Sequence, residues 1–258
     1  MKSSTLSSGF RAVATVVVLF AALEIATRGF GLAPVVLQAP SVVAQEIFQD
    51  FDLYATNTWV TTYEVIIGFA ISAVLGVVVA VAIVYSKFLQ DTLYPLILLL
   101  QIVPKVAVAP LLVVFLGFGA TPKIVIAVLI AFFPVVVNTA VGLRTVEKDM
   151  LDLVRVLNGS KFQEFTRVRL PNALPLIFSG FKLAMTFAVI GAIIGEFVGA
   201  NAGLGYLVVL ANSQMQTEMA YAAITILSLL GIVMYGSISL MERVLVPWAD
   251  SHSDLERI

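Results

Sequence analysis

The sequence predicts an all-α, polytopic membrane protein with six transmembrane helices. Of its 258 residues, 60% are hydrophobic and 12% are charged, and the mean hydropathy is +1.03. A soluble domain contains about 45–50% apolar and about 25% charged residues. Several apolar segments also reach the roughly 20 residues that a helix needs to cross the hydrocarbon core of a bilayer. A bilayer is therefore the expected environment of this chain.

The amino-terminal region, residues 1–57, is predicted to hold the first transmembrane helix and a short amphipathic helix. Residues 12–26 form an apolar run after a polar segment, which is also how a secretory signal peptide begins. No small-x-small cleavage site follows, and many further spans do; this favours a helix that is kept, although its retention in the mature protein stays open. Glu24 and Arg28 lie four residues apart and are expected to pair. Residues 33–57 are predicted to lie at the outer surface.

Residues 58–258 are predicted to form the core domain of the protein, with five further spans. These spans cover residues 58–86, 92–118, 123–143, 174–198 and 219–241. Proline removes a backbone hydrogen bond and bends a membrane helix. The third span is therefore predicted to be a bent helix at Pro95, Pro104 and Pro110, and the fourth to be kinked at Pro134.

Small residues recur every four positions in the second and fifth spans, a pattern that lets membrane helices approach closely. They are expected to serve packing, either within the subunit or at a dimer seam. The residues are Gly68, Ser72, Gly76 and Ala80, and Gly180, Ala184, Ala188 and Ala192.

One long polar insert, residues 144–173, separates the fourth and fifth spans. Apolar residues at three- and four-residue spacing predict an amphipathic helix at its start. Asn158-Gly159 is predicted to end this helix, because Asn and Gly take up a left-handed backbone at low cost. A second short helical turn is predicted over residues 160–166, and Leu170-Pro171 is expected to close it. The apolar positions are Met150, Leu151, Val154 and Leu157.

The polar insert is interpreted as a docking surface for a soluble partner rather than as a solvated loop. A solvated loop would explain its arginines but neither its apolar side nor its hinge. With six spans and an inner amino terminus, nearly all basic residues fall on the inner side, and only Arg28 and Lys123 stay outside. The positive-inside rule therefore places the insert and both chain termini in the cytoplasm.

Composition also excludes several kinds of function. The chain has no cysteine, so it can form neither disulfides nor thiolate metal sites. His252, its single histidine, is expected to be solvated in a polar tail rather than to bind a metal. No G-x-x-x-x-G-K-[ST] loop is present, so ATP is not expected to bind by that route. We expect no catalysis, no metal site and no nucleic-acid partner.

The polar insert resembles the loop signature of bacterial ABC importer permeases, E-A-A-x3-G-x9-I-x-L-P. The spacing is kept throughout, with a shorter carboxylate in place of Glu and larger apolar residues in place of Ala. Asn replaces the glycine with another residue that tolerates positive φ. The signature positions are occupied, in order, by Asp152, Leu153, Val154, Asn158, Val168, Leu170 and Pro171.

The resemblance extends over nearly the whole chain from about residue 39. Segments such as QIVPKVAVAPLLVVFLGFG (101–119) and GEFVGANAGLGYL (195–207) look like the sulfonate/taurine/nitrate permease family. Within that family they look closest to members associated with thiamine-pyrimidine precursors and other heteroaromatic substrates. The substrate itself stays open, because relatives with similar permeases carry different nutrients.

The resemblance implies a type I ABC importer in the bacterial cytoplasmic (inner) membrane. Two permease copies, identical or paralogous, would form the pathway in the lipid bilayer, and an external binding protein would deliver the substrate. A cytoplasmic ABC ATPase dimer would dock beneath and hold the ATP and Mg. The polar insert would be the coupling loop with its coupling helix. Asp152 would be offered to an ATPase arginine, and Asn158-Gly159 would form the hinge.

Three charged residues in the predicted spans are candidates for the pathway or its gate, because charges in a bilayer are costly and usually face a cavity or a partner. Lys105 would either line the pathway for an anionic or polar substrate or pair with a carboxylate. Glu196 would either bracket the gate or lie in water at the outer interface. For Glu64 the interfacial interpretation is favoured.

Two further alternatives remain. Gly203-Leu204-Gly205 lies in a charge-free segment, residues 199–217, that is predicted to be a re-entrant or surface loop on the outer side. It would either meet the binding protein or form a turn that needs glycine. The alternative function is an ion-coupled secondary transporter without an ATPase, with Glu24, Glu64 and Glu196 as coupling sites. Such a transporter should show repeated halves, and none is visible.

Overall fold

A computed structural model describes residues 14–15, 18, 21–29 and 37–248 of the chain. These residues are helical or lie in short connections, with no strand among them, so the all-α prediction is confirmed. A π-helical turn, Phe165–Arg169, joins α8 to α9. The helices are α1 (described at 14–15, 18 and 21–29), α2 (Pro40–Gln49), α3 (Phe51–Tyr85), α4 (Lys87–Ile102), α5 (Lys105–Leu116), α6 (Ala120–Arg144), α7 (Lys148–Val156), α8 (Lys161–Glu164), α9 (Leu170–Gly199), α10 (Leu204–Ser213) and α11 (Thr217–Leu245).

Four of these helices are long and apolar enough to cross a membrane. They are α3, α6, α11 and the continuous helix Lys161–Gly199, which contains α9. The bent pair α4 and α5 supplies a fifth segment if it counts as one span. These five coincide with the second to sixth predicted spans. Residues 12–13, 16–17 and 19–20 of the predicted first span, and the tail with His252, lie outside the described residues.

The core of the subunit is the triplet α3, α6 and α9, with α6 packed along both of the others. The small residues make this packing possible. A β-carbon on Gly68 would lie 2.6 Å from that of Ala127, and one on Gly76 would lie 2.6 Å from Val135. On α9, a β-carbon on Gly180 would lie 2.8 Å from that of Asn138. The two small-residue rows therefore pack helices within one subunit.

The start of the second span differs from its prediction. Residues 33–57 were expected to stay at the surface, with the span beginning at residue 58. Instead α2 ends at Gln49, and α3 begins at Phe51 and runs for 35 residues. At 1.5 Å per residue α3 is about 52 Å long, well beyond the hydrocarbon core of about 30 Å. Neither Gly nor Pro interrupts α3 before Gly68, so the helix continues through the predicted boundary.

The third predicted span is bent at Pro104, as expected, but the bend is a break between two helices rather than a kink within one. Helices α4 and α5 meet at an angle of 94°. Val103 and Pro104, between them, have extended backbones. Proline forces the residue before it out of the helical region and lacks the N–H that a continuing helix needs. Pro95 and Pro110 lie inside α4 and α5.

The loop predicted over residues 199–217 contains a helix. The apolar run of α10 forms 10 helical residues, with Leu204, Leu207 and Ala211 buried along one side. Gly203, with φ of 121°, starts the helix, and Met215, with φ of 57°, ends the turn that follows it. α10 is too short to span a membrane, and it packs against α11 and α9.

Polar contacts at two places tie helices together outside the core. Arg28 Nε lies 2.6 Å from Glu24 Oε1, which confirms the predicted pair in α1. Glu24 also accepts hydrogen bonds from the N–H and the hydroxyl of Ser41, so α1 is tied to α2. At the other end of the bundle, Lys182 of α9 pairs with Glu242 of α11.

Candidate functional site

The first helix of the polar insert, residues 144–173, is α7, which ends in a Schellman motif. Asn158 has φ of 53°, in the left-handed region. The Gly159 N–H donates to Val154 O at 2.9 Å, and the Asn158 N–H donates to Arg155 O at 3.0 Å, the two bonds that define this helix stop. A β-carbon on Gly159 would lie 2.6 Å from Val154 Cγ1. The predicted stop at Asn158-Gly159 is therefore confirmed, with a separate steric reason for each residue.

The second half of the insert starts with a capping box. Ser160 Oγ accepts from the Gln163 N–H at 3.2 Å, and Gln163 Oε1 accepts from the Ser160 N–H at 2.8 Å. The S-x-x-Q spacing is a sequence signal for this arrangement. Ser160 and Gln163 fix where the second helix begins, directly after the hinge.

The expectation that Leu170-Pro171 closes this second helix is wrong. The π-helical turn leads straight into α9, and the Leu170 N–H donates to Phe165 O, five residues back. A π-turn inserts one residue into the helix. Pro171, which has no N–H to donate, follows directly after this π-turn, so the helix departs from regular α-geometry next to the proline. The insert is thus continuous with the fifth span.

Several apolar side chains of α7 are exposed at its surface. None of its residues is buried. Met150 and Leu153 are 52% and 56% exposed, and Val156 and Leu157 are 79% and 72% exposed. Leu151 and Val154, two of the predicted apolar positions, are only half-buried. Exposed apolar side chains gathered on one short helix are typical of an interaction site.

Asp152 is exposed beside these apolar residues. Its carboxylate pairs with Arg155 within the same helix, at 2.7 Å from Oδ1 to Nη1. Both side chains are about two-thirds exposed, and pairs of this kind contribute little to stability. The carboxylate can therefore exchange Arg155 for another arginine at low cost.

The insert is fastened to the bundle through Arg169. Its Nε lies 2.6 Å from Glu164 Oε1, and its Nη1 donates to Leu143 O, at the end of α6, at 3.0 Å. The guanidinium lies 6.0 Å from the centre of the Tyr85 ring, at the end of α3. Tyr85 in turn meets Phe165 edge to face. The root of the insert therefore contacts all three helices of the core.

Lys105 lies at the break of the third span rather than within a continuous helix. It is the first residue of α5, and its ammonium is 3.4 Å from Gln101 O. It pairs with no carboxylate of the described residues. Beside it is a cavity of about 320 Å³, lined by Gln101, Phe132 and Phe133 among others. The lining of this cavity thus combines two aromatic rings with the side chains of Gln101 and Lys105.

Glu64 and Glu196 are not the wet interfacial carboxylates considered from the sequence, since each is 1% exposed. Lys123 Nζ lies 2.6 Å from Glu64 Oε1. Glu196 Oε1 accepts from the Thr61 hydroxyl at 2.7 Å, and its Oε2 accepts from the Gly205 N–H at 2.6 Å. α3, α6, α9 and α10 all contribute to these contacts, near the end of the bundle opposite the insert.

The Gly203-Leu204-Gly205 segment belongs to the same group of contacts. All three residues are buried. The Gly203 N–H donates to Asn57 Oδ1 at 2.7 Å, and the Leu204 N–H donates to Thr61 Oγ1 at 2.9 Å. The segment therefore offers no surface to another protein in this conformation, and its glycines admit the Glu196 carboxyl group. We call this group the polar cluster: Asn57, Thr61, Glu64, Lys123, Glu196 and the three N–H groups of residues 203–205.

Sequence reasoning missed Asn57, Thr61 and Lys123 as members of the polar cluster. A usable signal was present, because Asn57, Thr61 and Glu64 recur at four- and three-residue spacing and so share one face of a helix. From the sequence, Lys123 was considered only as one of the two basic residues on the outer side of the membrane. In the part of the chain that the structure describes, no group of three or more His, Asp or Glu side chains could hold a metal ion.

Comparison with known proteins gives the family. The model of the family described as "Binding-protein-dependent transport system inner membrane component" matches residues 72–248. A probable ABC transporter permease protein of Haemophilus influenzae is 37% identical over 203 residues, which are 79% of this chain and 83% of that protein. The formylaminopyrimidine transport permease protein ThiX of Halalkalibacterium halodurans is 35% identical over 226 residues, 87% and 90% of the two chains.

The sulfonate resemblance and the fold are both confirmed. A putative aliphatic sulfonates transport permease protein, SsuC of Bacillus subtilis, is 34% identical over 75% of this chain and 70% of its own length. The inward-facing MetNI methionine ABC transporter superposes with a TM-score of 0.64 at 17% identity, over 75% of this chain and 96% of that one. The chain therefore belongs to the binding-protein-dependent transport system inner membrane components, as the permease subunit of an ABC transporter with the fold of type I importers.

Proposed function

We propose that this chain forms half of the translocation pathway of a nutrient importer and receives its driving force through the polar insert. An external binding protein delivers the nutrient, and a second copy of the chain completes the pathway. A cytoplasmic ATPase dimer holds the ATP and Mg and docks on α7. The observation that carries the proposal is an exposed apolar helix whose hinge is preformed and whose continuation is a transmembrane helix.

The docking step rests on the exposed surface of α7. Met150, Leu153 and Val156 would stand in water if nothing covered them, and burying a side chain of this size stabilises a complex by about 1.5–3 kcal/mol before the costs of association. The charges of Asp149, Asp152 and Arg155 lie between these apolar residues. A surface that combines apolar and charged side chains in this way is more typical of a protein interface than of a surface that contacts lipid.

The transmission step rests on the continuous helix that joins the polar insert to α9. The Schellman motif and the capping box fix the angle between α7 and α8, and α8 runs through the π-turn into α9. Arg169 holds this root against the ends of α3 and α6. A rotation of α7 by its partner is therefore passed on as a rigid-body movement of packed helices rather than lost in a flexible loop.

The pathway step rests on the break between α4 and α5. Lys105 and Gln101 are among the residues that line a cavity there, together with Phe132 and Phe133, and most of the lining is apolar. A small planar nutrient with an anionic or hydrogen-bond-accepting group fits this chemistry. Relatives whose names give a substrate are named for a formylaminopyrimidine, riboflavin, aliphatic sulfonates, nitrate or taurine, which supports a small nutrient and leaves the compound open.

The secondary-transporter alternative has little support in the geometry. Glu24 is engaged by Arg28 and Ser41. Glu64 is engaged by Lys123, and Glu196 by Thr61 and Gly205. All three carboxyl groups are therefore engaged by partners within the chain, whereas a coupling carboxylate has to be free to bind and release an ion.

The test is copurification of an ATPase with the tagged chain from mild detergent, comparing the native chain with Asp152→Arg. We expect the native chain to bring down an ATPase subunit and the variant to lose it or to lose its stimulation of ATP hydrolysis. Asp91→Arg is the matched control, because Asp91 is an exposed carboxylate outside the insert. Substrate uptake into proteoliposomes by the purified chain alone, without an ATPase, would refute the proposal.

A further inference from the structure

The polar cluster carries one more negative charge than its cation can balance. The carboxyl groups of Glu64, from α3, and of Glu196, from α9, face each other and Lys123, from α6. α10 contributes only backbone N–H groups, and α3 adds the uncharged Asn57 and Thr61. Among the described residues no other charged side chain faces either carboxyl group. With both carboxyls ionised, the buried cluster would therefore hold a net charge of −1, which is costly in a water-poor interior.

The hydrogen bonds single out the atom where the charge is not compensated. Both oxygens of Glu196 accept a hydrogen bond, from Thr61 and from Gly205. Oε1 of Glu64 accepts one from Lys123. Oε2 of Glu64 is buried and has no donor among the described residues. A buried carboxylate oxygen without a donor is rare and needs an explanation.

A proton on Oε2 of Glu64 would neutralise the extra negative charge and would also give this oxygen a hydrogen-bonding partner. As an O–H group, Oε2 becomes a donor, and the carboxylate of Glu196 lies beside it as an acceptor. Lys123 still donates to Oε1 of the protonated group. The cluster then contains one ammonium, one carboxylate and one neutral carboxyl, and its charges sum to zero. Two neighbouring carboxyl groups that share one proton are a known arrangement in proteins.

We propose that the polar cluster is a proton-binding site, with one proton bound to Oε2 of Glu64 and shared with the Glu196 carboxylate. The site lies near the end of the bundle opposite the polar insert and is independent of ATPase docking.

The bound proton also holds α10 in place. Glu196 is the acceptor for the first turn of α10, and Asn57 and Thr61 accept the two N–H groups before it. Release of the proton would leave two carboxylates side by side and would weaken the contact that fixes this turn. The native state then binds a proton that the unfolded chain releases at neutral pH. Stability consequently falls as the pH rises, because the unfolded state holds fewer protons than the native state.

The first experiment uses the full-length chain, purified in a maltoside detergent that contains no ester carbonyl, as native protein and as Glu64→Gln. Infrared absorption at pH 7.5 measures the carbonyl-stretching band of protonated carboxyl groups. We expect the band in the native chain and its loss in Glu64→Gln, whose amide keeps the donor and the neutral charge. Glu24→Gln, which removes an ion-paired carboxylate elsewhere, should keep the band. If the native chain lacks the band, the proposal is wrong.

A second variant separates a bound proton from a merely buried glutamate. In Glu196→Gln, Lys123 alone can balance Glu64, so the infrared band should disappear although Glu64 is still present. Persistence of the band in this variant would overturn the proposed charge balance. Thermal unfolding between pH 6 and pH 8.5 completes the test. The unfolding temperature should fall with pH in the native chain and stay flatter in Glu64→Gln, whereas parallel curves, or stabilisation by Na⁺ in place of H⁺, would exclude a proton site.

Discussion

The two ends of the bundle use charge in opposite ways. At the polar insert, Asp152 and Arg155 pair while both side chains are about two-thirds exposed, so water can replace either partner. In the polar cluster, Glu64 and Lys123 pair at nearly the same distance while almost fully buried, and nothing can replace them. The insert is therefore suited to exchanging partners, and the cluster to holding α10 on the core. Although the two pairs have nearly the same distance, losing one partner costs much more stability in the cluster, because the charge left behind is buried there.

The largest expected effect is that of Lys123→Met. Removal of the ammonium leaves the carboxyl groups of Glu64 and Glu196 buried without a cation, which costs about 3–5 kcal/mol. We expect little folded protein, or an unfolding temperature far below that of the native chain. Lys105→Met is the control, because Lys105 has no carboxylate partner within the described chain. Equal unfolding temperatures for the two variants would contradict the difference between the two environments.

Gly203→Ala should have the next largest effect. Gly203 has φ of 121°, and a β-carbon there would overlap the carboxyl group of Glu196. The backbone strain alone is worth about 1–3 kcal/mol. Gly231→Ala serves as control, since nothing lies within 4 Å of a β-carbon at that position of α11. Thermal unfolding of the two variants measures the difference, and a Gly203→Ala protein as stable as Gly231→Ala would show that α10 docks loosely.

Asn158→Ala tests the hinge of the insert. Alanine adopts the left-handed backbone of this position at a cost of about 1–2 kcal/mol, and the strain is local to the end of α7. We expect less ATPase stimulation with an unchanged unfolding temperature of the bundle. Asn158→Gly should keep full stimulation, because glycine accepts the same φ. The hinge has no role in coupling if the alanine variant stimulates the ATPase as well as the glycine variant does.

The smallest effect on stability is expected from Arg155→Ala. Its exposed pair with Asp152 contributes about 0–1 kcal/mol, so the unfolding temperature should stay within error of the native value. ATPase stimulation should also persist, since Asp152 is then free for its partner. A marked loss of stability would mean that the pair organises α7 rather than exchanging freely with water.

The contrast between the two regions also shows what the sequence could predict. The helix stop at Asn158-Gly159 follows from local backbone preferences, which a short window of sequence contains, and it was correct. The small-residue rows likewise predicted close packing, because their four-residue spacing can be read within a single helix. The burial of Glu64 depends on Lys123, 59 residues away, and that of Glu196 on Thr61, 135 residues away, so their surroundings could not be read from any one segment. The break at Pro104 lies between these cases, because one proline can bend or break a helix depending on its neighbours.

The central claim is that the polar insert faces the cytoplasm and is covered by an ATPase, and one labelling measurement tests it directly. The chain has no cysteine, so Leu153→Cys provides a single thiol on α7, and Phe118→Cys provides one that is 78% exposed at the opposite end. A membrane-impermeant maleimide is applied to inside-out vesicles with and without the coexpressed ATPase. We expect Leu153→Cys to be labelled without the ATPase and protected with it, while Phe118→Cys is not labelled in these vesicles. Equal labelling of Leu153→Cys in both preparations, or labelling only in right-side-out vesicles, would contradict the account.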